Sequence, residues 1–517
     1  MPHYDAAHAQ SPLFDALVEA SQTYGANKLI LEDQTRQPMS YTGLIRAAFA
    51  LGRRIAAVTD PGERVGVMLP ASSATVVTFF ALHAFGRTPA MLNFTSGIRN
   101  LRAACALAGV KRVLTSHRFI EQAKLHDLVD ALENRATVTY LEDLRREVGL
   151  ADKLFAAVAG ALPRAFRSPA KASDPGVVLF TSGSFGAPRG VLLTQGNLVA
   201  NVRQIAAHIA LDPDWVMFNP LPTFHCFGLT GGALLPLLTG MKAFQYPSPL
   251  HAKQIPPLIA EVGGSILLTT DTFLNQYARA AERGELGALK FIVCGAERVR
   301  EETHALIAEK FGPVPVLEGY GATETAPVLA VNKPDDNRHG TVGGLLPGIE
   351  YRLDKVAGIA RGAKLMVRGP NVMAGYLMPD GSLEAPDDGW HDTGDVVEVT
   401  DDRWVKILGR VKRFAKIGGE MVSLNVAEDL AAGVWPDARH AVVATPDPRK
   451  GERLVLVTDR RDATVDKIVT YAQQVGAPEI GAPRKIMHVT EIPVLGTGKT
   501  DYVAVQRIVD AEAARAA

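Results

Sequence analysis

Cysteine is scarce. Cys105, Cys226 and Cys294 are scattered through 517 residues, too few for a disulfide framework or a four-ligand zinc site, and a reducing compartment is expected. Neither sign of charge is in excess: 55 Lys plus Arg balance 55 Asp plus Glu, so net charge points to neither nucleic acid nor an anionic bilayer as the main partner. The first twenty residues carry acids and no basic start ahead of an apolar core. No secretory signal is read there, and a cytoplasmic protein is expected. Two uncharged stretches, Val65 to Gly86 and Trp215 to Gly240, reach membrane-spanning length. Both are broken by proline and by Ser, Thr, Asn or Gly, and they read as buried segments, with no transmembrane segment. Three nucleotide and hydrolase signatures are also missing. Gly498-Lys499-Thr500 mimics the end of a Walker loop, but Pro493 stands where its first glycine belongs. No G-x-G-x-x-G follows a predicted strand, and there is no G-x-S-x-G elbow.

What is present is an ordinary globular composition, 47% apolar and 21% charged with mean hydropathy +0.06. The length allows two to four domains at about 100 to 200 residues each. From Val65 short apolar runs (VGVML, TPAML, RVLT) alternate with helical stretches near Ala74 to Phe85 and Ile98 to Ala108, and the alternation returns at Val177, Ser265 and Leu289. That is the pattern of parallel sheets covered on both faces. After about Val342 short runs broken by Gly and Pro suggest antiparallel strands. The basic, glycine-punctuated GRVKRFAKIGGE marks a boundary near Gly409. An α/β fold is expected: a large body over 1–408 with a β-rich subdomain about 340–408, then a small α+β C-terminal domain over 409–517, its Ala-rich end frayed.

Residues Val177 to Gly190 read VVLFTSGSFGAPRG, a strand followed by hydroxyls, glycines and Arg189, with a helix beginning near Asn197. Such a loop suits phosphate, and equally an ordinary strand-to-helix turn. LEGYGATETAP places Tyr320, Thr323 and Glu324 on a glycine-flexed turn, where a carboxylate could hold Mg²⁺ beside phosphates or be a solvated turn acid. In GWHDTGDVVEV, Asp395 sits on a turn entering a strand, placed to accept two ribose hydroxyls or simply to face water.

The order TSGSFGAPRG, FHCFG, GAE, GYGATE, HDTGD, GRVKR, GTGK resembles the adenylate-forming superfamily of acyl-CoA synthetases, luciferases and peptide-synthetase adenylation domains, over about Asp174 to Tyr502. FTSGS, PSPLH, LEGYGATETAPV, KRFAKIGGEMVSL and VLGTGK are most similar to the synthetase portion of the acyl-acyl carrier protein synthetase/2-acylglycerophosphoethanolamine acyltransferase family. The resemblance implies ATP and Mg²⁺ as cofactors. Thr181, Ser182, Gly183, Ser184, Gly186 and Arg189 would cover the ATP phosphates, and His225 would border the acyl pocket. Gly295, Ala296, Glu297 and Tyr320 would meet adenine, Thr323 the α-phosphate, and Glu324 the metal. Asp395 and Arg410 would hold the ribose, Lys412 would be the hinge of a mobile small domain, and Lys499 would bridge carboxylate and α-phosphate. Two departures touch the phosphate loop: Phe185 stands in place of threonine, and Arg189 in place of lysine presents a planar fork. The acyltransferase motif H-x-x-x-x-D is absent, because His126 and Asp130 have the wrong spacing.

The activity so implied is activation of a medium- or long-chain fatty acid to acyl-AMP, then transfer to the thiol of holo-acyl carrier protein, with coenzyme A as the alternative acceptor. The implied location is cytoplasmic, with peripheral association at the inner face of the membrane compatible with it. Arg410, Lys412, Arg413, Lys416, Arg439, Arg449 and Lys450 offer a basic surface for an acidic carrier, although a solvated hinge explains them equally: Gly409 to Ala517 holds sixteen basic against fourteen acidic residues. Two rivals stand beside this reading. Cys226 or Cys294 could carry the acyl group covalently, though their apolar surroundings favour packing. The chain could also be a non-catalytic nucleotide-binding relative.

Overall fold

The computed structural model describes residue 4 and residues 10–182, 188–359, 361–417, 420–447, 450–477, 479–495 and 499–516. Over these residues the apolar runs of the first half form two large sheets. In the eight-stranded sheet, Arg64–Val67 lies between Thr88–Met91 and Arg112–Thr115, all parallel, with Thr137–Tyr140 at the edge. The helix Ser73–Ala84, capped by the Ser72 hydroxyl accepting from the Thr75 amide, is buried at nearly every position. That is what a predominantly apolar helix without Asp, Glu, Lys or Arg, lying between layers, requires. The nine-stranded sheet has a parallel centre of Val216–Asn219, Ile266–Thr269, Phe291–Gly295 and Val316–Gly321, and turns antiparallel at Val328–Val331 and Gly344–Leu345. Its parallel strands therefore deliver their carboxyl ends to one edge, where α/β sheets present ligand sites.

Beyond these sheets, Glu350–Asp354, Ala363–Arg368, His391–Val399 and Val405–Arg410 form a four-stranded antiparallel sheet. Five strands from Phe414 to His488 make the fourth and last sheet, with apolar clusters of its own around Leu430, Leu456 and Ile468 on one face and Val443, Val455 and Val505 on the other.

Two local expectations are corrected. The glycine-rich segment after Val177 leads first into a second strand, not expected from the sequence, and only then into the helix expected near Asn197. Pro175–Ser182 and Pro188–Thr194 pair antiparallel, and the helix starts only at Gln195, where Thr194 accepts from the Asn197 amide. The C-terminal end is the 15-residue helix Tyr502–Ala516, packed through Val505 and Val509. Among the described residues no helix is long and apolar enough to cross a membrane. Trp215 to Gly240 instead becomes a strand and the π-helical segment Phe227–Leu234. Its glycines permit the wide turn: a Cβ on Gly228 would lie 2.3 Å from the Pro222 carbonyl oxygen, and one on Gly232 2.2 Å from the Asn219 side chain.

Candidate active site

The carboxyl ends of the parallel strands carry several of the residues singled out by sequence. Gly295 ends one strand opposite Gly319 of the next, and Tyr320 follows. Phe227 lies against Gly295, so any side chain there would meet its ring at about 3.0 Å. Ala296 turns the chain outward at φ +73°, placing Glu297 where it accepts from the Thr272 amide at 3.1 Å. Burial raises the Glu297 carboxyl above its ordinary range, opposed by Thr272.

Tyr320 and Asp395 meet across two sheets. The tyrosine hydroxyl donates to Asp395 Oδ2 at 2.6 Å, and Arg410 Nε donates to Oδ1 at 2.9 Å. Asp395 and Arg410 face each other on paired strands, so the ion pair is set by register. Asp395 is not on a turn, as the sequence suggested, but inside the strand His391–Val399, one residue past Gly394 at φ +69°. Its buried carboxylate keeps lone pairs beyond these two bonds, since it can accept about four.

Thr323 and Glu324 lie in the 3₁₀ turn Thr323–Thr325. The approach depends on Gly321, where a Cβ would stand 1.8 Å from the Pro327 carbonyl oxygen. Glu324 Oε1 accepts from the Tyr376 hydroxyl at 2.8 Å, and the Arg189 guanidinium lies 3.7 Å from the Tyr376 ring centroid. Tyr376 thus joins the metal-site candidate to the phosphate-loop candidate. Burial lowers the pKa of His391, opposed by Glu324 and by Asp392 and Asp395 of its own strand. Neither Tyr376 nor His391 was singled out from the sequence. GYL and HDTGD were visible as text, but only the sheet pairings bring them to Glu324.

No group of three or more His, Cys, Asp or Glu among the described residues could hold a metal alone. A hard cation at Glu324 would draw its remaining ligands from substrate oxygens and water, which suits Mg²⁺.

Lys499 lies after the last sheet, beside the isolated bridge Val494↔Thr500. Burial and Arg410 lower its pKa, while Glu297 and Asp395 hold it up. Lys499 in turn reinforces the effect of burial on His225, whose pKa falls to about 3. The imidazole is therefore neutral, with Nε2 buried and without a hydrogen-bond partner among the described residues. Close by, Thr223, Leu229, Ala233, Phe79 and Met91 line a narrow apolar cavity. A second cavity, of about 430 Å³ around His117 and Tyr140, contains none of the predicted site residues.

Thr181 and Arg189 flank the hairpin loop, and Ser182 ends the first strand; Gly183, Ser184, Phe185 and Gly186 lie outside the described residues. Lys412 sits in the 3₁₀ turn Val411–Arg413 between the four-stranded sheet and the last one. Two contacts fasten the last sheet over the site: Arg439 Nη2 donates to Thr272 Oγ1 at 2.9 Å, and Arg298 pairs with Asp429 at 3.1 Å. The cysteines are buried and unbridged. Burial pushes Cys226 up to about 12 and Cys294 well above its usual value, the opposite of an activated nucleophile.

Residues 17–377, more than half the chain, match the model of the AMP-binding enzyme family, and the protein belongs to that family. It is 26% identical over 504 residues to a medium-chain fatty-acid–CoA ligase of Escherichia coli (strain K12), covering 92% of this chain and 86% of the relative. It is 28% identical over 347 residues to a long-chain-fatty-acid–CoA ligase of Salmonella typhimurium, covering 63% of this chain. The chain spans 60% of the length of that Salmonella relative. Among solved structures, ATP-bound MatB from Rhodopseudomonas palustris superimposes with TM-score 0.81 at 24% identity, over 96% of this chain and 98% of that one. The overall architecture, small C-terminal domain included, is that of these enzymes.

Proposed function

We propose that the protein is an AMP-forming acid–thiol ligase that activates a medium- or long-chain fatty acid with ATP and transfers the acyl group to coenzyme A. The observation that carries this reading is the convergence of Glu297, Asp395, Arg410 and His225 on Lys499. There Glu297 and Asp395 favour the charged form of Lys499 against burial and Arg410, and the lysine would lie between the nucleotide and the acyl chain.

A carboxylate is a poor acyl donor because its leaving group would be oxide. In the first half-reaction a fatty-acid carboxylate oxygen attacks the α-phosphorus of ATP, and pyrophosphate departs. Charge spreads over the phosphate oxygens, so catalysis is positioning plus cationic stabilisation. Lys499 would bridge the carboxylate and the α-phosphate, and Arg189 would meet the departing pyrophosphate. Asp395 and Arg410 would hold the ribose, Gly295 to Glu297 and Tyr320 the adenine, and Thr323 the α-phosphate. Glu324 would hold Mg²⁺, which supplies charge neutralisation on the phosphates. The neutral His225 ring would form an uncharged wall beside the carboxylate. In the second half-reaction the thiol loses its proton to solvent, its sulfur attacks the acyl carbon, the carbon–oxygen bond to AMP breaks, and AMP leaves carrying that oxygen. Lys412 is the hinge about which the last sheet would turn between the two half-reactions.

Coenzyme A is preferred as acceptor because the relatives are named as CoA ligases, and because three of the seven basic residues expected to dock a carrier are engaged within the chain. Arg410 pairs with Asp395 and Arg439 binds Thr272. Arg413 pairs with Glu428 at 2.7 Å beneath the Tyr502 ring. Arg449 lies outside the described residues. Holo-acyl carrier protein is the second reading, carried by the motif likeness. Pyrophosphate release on adding ATP and fatty acid tests the activation, and none would refute it. A kcat/KM for holo-acyl carrier protein well above that for coenzyme A would reverse the choice of acceptor.

A further inference from the structure

The helix Leu150–Ala161 has the sequence LADKLFAAVAGA, apolar nearly all round, which is the composition of a helix buried on every side. It is not so buried. Phe155, Ala156 and Ala159 pack toward the helix Tyr41–Ala56, and the one acid, Asp152, also points inward. There its carboxylate accepts from Arg54 Nε at 3.0 Å and from the Gly149 amide at 2.9 Å. Facing outward at successive turns are Leu150, Leu154, Val158 and Leu162, exposed to 73%, 60%, 53% and 60%. The usual polarity of a surface helix is inverted: the carboxylate is inside and the leucines are outside.

The rim of this stripe is cationic. Lys153 and Gly160, seven residues apart, border one side, and Arg46 crosses Gly160, where a Cβ would stand 2.6 Å from its Cγ. On the other side Arg53 donates to the Ala151 carbonyl at 3.3 Å and lies 5.0 Å from the Phe155 ring centroid. Arg164 follows in the next short helix. From Arg145 to Lys171 six basic residues stand against two acids, Glu147 and the inward Asp152; Arg146 pairs with Asp143 and Arg167 with Asp15, and Arg53 also reaches Asp152 at 3.5 Å. Lys153 and Arg164 form no ion pair among the described residues. The neutrality of the whole chain conceals this local excess.

We propose that the outer face of Leu150–Ala161 docks the protein onto the interface of a bilayer containing anionic lipids. The leucines and Val158 enter the acyl boundary while Lys153, Arg46, Arg53 and Arg164 meet headgroup phosphates, the arrangement of an interfacial amphipathic helix. Charge selects this occupant over a second copy of the chain, because a two-fold pairing would bring the same cations together without acids to meet them. The inference stands apart from the fatty-acid reading, although a lipid surface would be the natural source of such a substrate.

The test is co-sedimentation of the full chain with vesicles in the absence of ATP and fatty acid. Binding is expected to phosphatidylcholine vesicles containing phosphatidylglycerol, and to be weaker by about tenfold for phosphatidylcholine alone or at high salt. Leu154→Ser with Val158→Ser should lower it by about tenfold or more, with the circular dichroism spectrum and the rate of adenylation of a short soluble acid unchanged. Lys153→Glu with Arg164→Glu, at exposed positions, should abolish the preference for anionic vesicles and carries the test should the first variant not fold. Absence of vesicle binding by the parent, or binding unchanged in both variants, would overturn the proposal. So would a dimer by light scattering that Leu154→Ser with Val158→Ser converts to monomer, which would make this face an interface between copies.

Discussion

Tyr376→Phe isolates the bond between the phenol and Glu324. The hydroxyl donates to Glu324 Oε1 at 2.8 Å. Burial and the nearby carboxylate raise the Tyr376 pKa above its ordinary value, so the phenol remains a donor across the working pH range. A hydrogen bond to a charged group contributes about 1.5 to 3 kcal/mol. The site is half-buried, which favours the lower end, or about tenfold in the apparent affinity for whatever Glu324 holds. Removing the hydroxyl leaves the ring under Arg189, so Tyr376→Phe should raise the Mg²⁺ concentration giving half-maximal pyrophosphate formation by about tenfold. Tyr376→Ala loses the cation–π contact as well, about a further 0.5 to 2 kcal/mol, and its added loss should appear with ATP. The assay is fatty-acid-dependent pyrophosphate release titrated separately with Mg²⁺ and ATP, with thiol transfer from supplied acyl adenylate as the control. An unchanged Mg²⁺ dependence in Tyr376→Phe would refute the role assigned to this bond.

Lys499→Ala should slow acyl-adenylate formation by about a thousandfold, the scale of losing a transition-state charge contact, and affect transfer from supplied acyl adenylate far less; equal loss in both steps, measured by single turnover, would remove Lys499 from the adenylation centre. Because the Lys499 pKa is lowered, its charge is lost as pH rises through a value below the ordinary lysine pKa of about 10.4. Adenylation alone should therefore fall on the alkaline side, and Lys499→Arg should remove that limb from a rate profile. Arg439→Ala breaks the contact with Thr272, a single hydrogen bond of about 0.5 to 1.5 kcal/mol, and should slow adenylation by about two- to tenfold while sparing thiol transfer, as pre-steady-state rates would report.

Much of the fold was legible because it is written in local pattern. The run Ile98 to Ala108 was read as a helix and is one over those same residues, since its apolar positions repeat at helical spacing. The stretch after Val177 misled because Ser, Thr and Gly serve strand-to-helix and strand-to-strand turns alike, and only pairing with Pro188–Thr194 decides between them. The final helix was missed because Ala-rich text without a long apolar stripe looks frayed, while Val505 and Val509 suffice to dock it. At the site, ordered motifs brought out Tyr320, Glu324, Asp395 and Lys499. Tyr376, Thr272 and Arg439 carry no motif, and their proximity to that set comes from strand register and from the seating of the last sheet. The inverted polarity of Leu150–Ala161 was likewise invisible, because an apolar helix with one acid gives no sign of which face the acid takes.

The central claim is attack by a carboxylate oxygen on the α-phosphorus of ATP within this chain, followed by thiol displacement of AMP. The most direct measurement uses a fatty acid labelled with ¹⁸O in its carboxyl group, turned over with ATP and coenzyme A, with the nucleotide product weighed by mass spectrometry. Transfer of a single carboxylate oxygen per turnover into the phosphate of AMP, with unlabelled pyrophosphate, is the predicted result. Unlabelled AMP, or label appearing in inorganic phosphate alongside ADP, would contradict it.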